Sequence, residues 1–117
     1  MRPAHLWYEP IDEHSASVTL DGDIEAPTAA ALEQAVLAAT RNGKDCFLVD
    51  LAAVGVADAS LVESLFHVGR LVENLHGKVV LVSTPGSRLR DVLRSAGLQK
   101  RMRMAATRSE ALTAARE

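Results

Sequence analysis

The chain has 117 residues, 48% of them hydrophobic and 24% charged, with a formal net charge of −2; this balance fits one globular domain and excludes both disorder and the polyelectrolyte character of a general nucleic-acid binder. Aromatic residues make up only 3%, so the core has to be built from Ala, Val and Leu. One cysteine excludes an intramolecular disulfide, and no apolar run approaches the roughly 20 residues of a membrane helix.

In chain order, His5 to Glu9 reads as a short edge strand and Pro10 to Ser15 as a charged turn. Ser17-Val18-Thr19-Leu20 is β-branched and apolar, a strand that Asp21-Gly22-Asp23 is expected to end. A first helix opens near Pro27 and Thr28. Ala29, Leu32, Val36 and Ala39 recur on one face, and Asn42 and Gly43 stop it. Cys46 to Leu51 is a strand buried on both faces, with Cys46 as a small core residue.

A second helix is predicted from about Ala59 to Leu75. Leu61, Leu65, Val68, Val72 and Leu75 form its apolar stripe, and Glu63, His67, Arg70 and Asn74 its wet face. Val79 to Val82 is a third buried strand. Ser83 to Ser87 leads into a third helix with Leu89, Val92, Leu93 and Ala96 inward and Gly97 as its stop. Met102 to Ala105 is a last short strand, and Thr107 to Glu110 has the spacing of a capping box that opens a fourth helix. The order β-β-α-β-α-β-α-β-α implies an α/β fold with a mixed, mostly parallel sheet and four helices, one domain spanning 1–117. Sites on such sheets lie at the C-terminal strand ends.

Charge is unevenly placed. Residues 1–63 carry eleven acidic and three basic side chains, and residues 88–117 carry three acidic and eight basic ones. The acidic part includes two strand-end loops, Asp21 to Glu25 and Val56 to Ser60, which a connecting helix sets side by side. Ser60 stands in the first turn of helix two, where free N–H groups and the positive end of the helix dipole gather. Asp58 and Ser60 suit simple capping, the reading that composition alone favours, and they also suit an acceptor hydroxyl beside carboxylates.

Three stretches, taken together, resemble the STAS domain family, which includes bacterial anti-sigma factor antagonists and the cytoplasmic domains of sulphate transporters. They are Val18 to Glu25, similar to that family's strand and Gly-Glu-Leu-Asp turn; Val49-Asp50-Leu51 with Val54; and Asp58-Ala59-Ser60, similar to its Asp-Ser-Ser-Gly phosphorylation motif. Val79 to Val82 and Val92 to Leu98 fit as well, so the likeness covers about residues 5–116. It implies the STAS fold and a regulatory protein-interaction module. Such a module binds an anti-sigma factor of the serine kinase type and is switched by phosphorylation at Ser60, with a phosphatase as a further partner. The implied partner surface is Asp23, Glu25, Asp58, Ser60, Leu61, Glu63, Ser64 and His67. The family's glycine after the acceptor serine is Leu61 here, and the preceding serine is Ala59. These departures favour the alternative, a phosphorylation-independent subunit of a transporter or larger signalling complex.

Other chemistry finds little support. His5, His14, His67 and His76 lack metal-ligand spacing, and no cofactor motif appears. Asp21, Asp23 and Asp50 superficially suit a phospho-aspartate receiver, but Met104 to Thr107 lacks the lysine that a receiver requires after its last strand. No acid–base or nucleophile pair marks an enzyme. With no signal peptide or membrane helix, the expectation is a cytoplasmic protein that binds neither membrane nor nucleic acid.

Overall fold

The structure is a computed structural model that describes residues 2–117. The elements follow the order β1 (His5–Pro10), β2 (Ser15–Ile24), α1 (Ala26–Arg41), β3 (Cys46–Ala57), α2 (Ala59–Glu73), β4 (Lys78–Val82), α3 (Arg88–Ser95), a 3-10 turn (Leu98–Lys100), β5 (Arg103–Ala105) and α4 (Arg108–Arg116). This is the order read from the sequence, with the 3-10 turn added.

The five strands form one sheet in sequence order. β1 runs antiparallel to β2, and every other neighbour pair is parallel. Because each parallel crossover steps the same way across the sheet, α1, α2 and α3 fall on one face and α4 covers the other. Strand alternation then divides the core. Phe47, Val49 and Leu51 of β3 join Leu32 and Val36 of α1, Leu61, Leu65, Val68 and Val72 of α2, and Leu93 of α3. Leu48 points the opposite way, with Val80, Val82, Ala105 and Ala111.

Two strands run further than expected. Asp21-Gly22-Asp23 does not end β2. The strand continues to Ile24, and β3 continues beside it to Ala57, with Asp21 opposite Ala53, Gly22 opposite Val54 and Ile24 opposite Ala57. The register shifts twice along this extension, and Gly22 takes φ +89°, a left-handed backbone suited to glycine. A Cβ at Gly22 would collide with the Pro3 carbonyl, so the N-terminal arm also lies close there.

Three apolar positions face water instead of the core. α2 ends at Glu73, which turns Leu75 out to 45% exposure. α3 has only eight residues and buries Leu93 alone, leaving Val92 and Ala96 exposed. At the end of α2, His76 takes φ +58° ahead of Gly77.

Candidate functional site

The C-terminal ends of β2 and β3 bring the two acidic segments together. Asp58 N–H donates to the Ile24 carbonyl at 3.2 Å, joining the β3–α2 junction to the end of β2. Asp23 completes the joint. Its carboxylate accepts Val56 N–H at 3.0 Å through one oxygen and Arg2 N–H at 2.9 Å through the other. The Arg2 N–H, and next the Val56 N–H, hold the Asp23 carboxyl below the usual carboxylate range. Asp23 therefore works first as a clamp on backbone.

Asp58 caps α2. Its Oδ1 accepts Ser60 N–H at 2.9 Å and also the Ser60 hydroxyl. The hydroxyl is thus oriented by a carboxylate at the helix N-terminus while Ser60 stays half-buried. Capping and a poised hydroxyl coexist in one arrangement. Glu25, Ala59, Glu63 and His67 are exposed around or below it.

Two residues of the expected partner surface are inside the protein. Leu61 is fully buried and Ser64 is 4% exposed, so neither meets a partner. Leu61 belongs to the same stripe as Leu65 and Val68, and the helical period carries it inward. The Ser64 hydroxyl donates to Glu33 Oε2 at 2.7 Å, and Glu33 Oε1 lies 3.0 Å from His67 Nδ1. Glu33 thereby ties α1 to α2. A carboxylate placed between a serine and a histidine does not make the serine a nucleophile: His67 touches Glu33 and not the hydroxyl, the carboxylate is a weak base, and Ser64 is too buried to meet a substrate.

The sequence reading missed a groove beside the cap. Val56 and Val92, 70% and 45% exposed, flank it with half-buried Val62 and Leu89, and Asp58 and Arg88 stand at its edge. Val56 escaped notice because its stretch was read as loop, and Val92 because helical spacing assigned it to the core. On the opposite face, Arg108 of α4 donates to Ser17 Oγ at 2.9 Å and to Glu9 at 3.3 Å, and lies 3.8 Å from Asp50. Asp50 also accepts Ala52 N–H at 3.0 Å. Asp21, Asp23 and Asp50 thus serve separate contacts and form no receiver-like acidic cluster. Among the described residues no group of three His, Cys, Asp or Glu is placed to hold a metal ion, and no helix is long and apolar enough to cross a membrane.

The family model described as Mlab, STAS domain matches residues 8–106. An anti-sigma factor antagonist from Mycobacterium paratuberculosis is 26% identical, with TM-score 0.83 over 98% of this chain and 96% of that one. The anti-sigma factor antagonist SpoIIAA in its unphosphorylated form is 18% identical, with TM-score 0.77 over 96% of this chain and 98% of that one. The Bacillus cell fate determinant SpoIIAA in its phosphorylated form is 19% identical, with TM-score 0.75 over 93% and 97%. The search of curated proteins finds no match.

Proposed function

The chain belongs to the STAS domain family, and from that premise we propose that it is an anti-sigma factor antagonist that binds an anti-sigma factor kinase and is released when the kinase phosphorylates Ser60. The observation that carries this reading is the half-buried Ser60 hydroxyl, held by Asp58 at the first turn of α2 and flanked by exposed acidic side chains. The 26% identical anti-sigma factor antagonist from Mycobacterium paratuberculosis, matched over almost its whole length, supports the general role.

In the proposed step, Ser60 Oγ attacks the γ-phosphorus of ATP bound to the kinase. The new Oγ–P bond forms as the bond to the β–γ bridging oxygen breaks, ADP leaves, and the hydroxyl proton passes to a base of the kinase. This protein contributes only the acceptor. The product adds about −1.5 to −2 charge directly against Asp58. The helix N-terminus offsets part of that charge within the molecule. A partner surface packed there meets a bulky, strongly hydrated dianion and separates.

Burial of Leu61 supports this reading over the phosphorylation-independent alternative. The side chain that replaces the family's glycine points into the core and leaves the approach to Ser60 open. The test is intact mass after incubation with ATP and a candidate anti-sigma factor kinase. The expected result is a gain of one phosphoryl group, absent in Ser60→Ala. An unchanged mass alongside stable binding to the same kinase overturns the switch and leaves a constitutive binding module.

A further inference from the structure

We propose that a second copy of this chain pairs with the open edge of β1, forming an antiparallel two-fold dimer centred on Trp7. The two ends of the sheet differ. β5 is three residues long and begins with Arg103, a short and charged edge. β1 is six residues long, lies at the other end of the sheet, and carries Trp7 at 54% and Tyr8 at 41% exposure.

The backbone phase of β1 suits pairing. The hairpin closes with Ile11 N–H on the Ser15 carbonyl at 2.9 Å. Antiparallel ladders alternate, so the peptide groups of Glu9, Trp7 and His5 turn toward β2, while those of Leu6 and Tyr8 face the open edge. A two-fold axis at Trp7 sets Leu6 opposite Tyr8 of the second copy, and Tyr8 opposite its Leu6. Each of these pairs exchanges two N–H···O bonds.

Side chains select that register. On the α4 face it places His5 against Glu9 of the second copy at both ends, a donor facing a carboxylate, with the two indoles between them. His5 already stacks on Trp7 within one chain, at 5.6 Å between ring centroids. Shifting the axis to Tyr8 sets Leu6 opposite Pro10, which has no N–H, and breaks the His5–Glu9 match. On the other face, Tyr8 borders a shallow apolar groove lined by Ala35, Ala38 and Ala39 of α1. These small side chains leave room for the second copy to approach. β1 is separated by β2 from β3, the strand that leads into the helix of Ser60, so such a dimer presents two partner sites.

The test combines mass and cross-linking on the full chain. Sedimentation equilibrium is expected to show a concentration-dependent species of twice the 12.5 kDa chain mass. Trp7→Glu, which sets two carboxylates face to face on the axis, is expected to raise the dissociation constant at least tenfold without changing far-UV circular dichroism. Directly opposite residues at the axis lie within disulfide reach. In a Cys46→Ala background, Trp7→Cys is therefore expected to give a covalent dimer on mild oxidation. Glu9→Cys, whose counterpart is His5, is expected to give none. A monomer at every concentration overturns the proposal, as does equal cross-linking of the two cysteine variants.

Discussion

The Asp23 carboxylate accepts the backbone N–H of Val56 across 3.0 Å and so fastens the far end of β2 to that of β3, just ahead of the Ser60 helix. Its second oxygen holds Arg2 N–H, and both donors favour the charged acid, Arg2 first. A depressed folded pKa means that the unfolded chain takes up the proton first as pH falls. The contribution is complete above the unfolded value, about pH 3.9, and is lost as pH drops through the folded one. Asp23→Asn is expected to flatten the fall of melting temperature below about pH 4. Asp12, whose pKa is lowered chiefly by His14 N–H and also by Ser15, accounts for part of the remaining slope. Asp12→Asn/Asp23→Asn is therefore expected to flatten it further. An acid limb identical to wild type in Asp23→Asn excludes this role.

The Glu33 contact predicts an order of variants. Glu33→Ala leaves the buried Ser64 hydroxyl to find a helix carbonyl and is expected to cost about 1–3 kcal/mol. Ser64→Ala leaves Glu33 hydrated and is expected to cost about 1 kcal/mol. The double variant should cost less than the sum, since both remove one hydrogen bond. Urea unfolding of the three proteins checks the order, and strict additivity rules out the coupling.

Two glycines separate tolerance from obstruction. A Cβ at Gly69 meets only the end of the flexible Met102 side chain, whereas one at Gly77 meets the Asp45 carbonyl and Val72. Gly69→Ala gains about 1 kcal/mol of helix propensity against the displacement of Met102, and is expected to stay within about 1 kcal/mol of wild type. Gly77→Ala requires backbone movement and is expected to lose about 1–3 kcal/mol. Equal denaturation midpoints for the two variants contradict this account.

These contrasts also show where sequence reading succeeds. Ala29, Leu32, Val36 and Ala39 are buried as their spacing implies, because one turn geometry fixes their face. The strand order and the meeting of the two acidic segments follow from alternation and crossover rules. The length of β2 was not legible. Asp21-Gly22-Asp23 is chemically a turn, and partners distant in sequence hold it extended: the ladder with β3, and the Val56 and Arg2 N–H groups on Asp23. The dual identity of Leu61 was legible only in part. Its place in the apolar stripe pointed inward, while its place in the motif pointed to a partner, and packing decided for the core.

Leu61 therefore gives the sharpest separation of stability from recognition. Leu61→Ala removes a fully buried side chain from the first turn of α2 and is expected to cost about 2–5 kcal/mol. Leu61→Gly, which restores the family's motif residue, adds the helix penalty of glycine, about 1 kcal/mol. Neither change alters the surface beside Ser60. At a temperature where the variants remain folded, their affinity for a candidate anti-sigma factor kinase, and the rate of the proposed phosphoryl uptake at Ser60, are expected to match wild type. Glu63→Lys reverses the pattern, because Glu63 is exposed one turn from Ser60. Its melting temperature should barely move, while partner affinity changes severalfold. Calorimetric titration with the candidate kinase, paired with urea unfolding, measures both axes. If Leu61→Gly accelerates phosphoryl uptake while Glu63→Lys leaves binding untouched, position 61 acts at the kinase interface and the exposed face of α2 is not the docking surface.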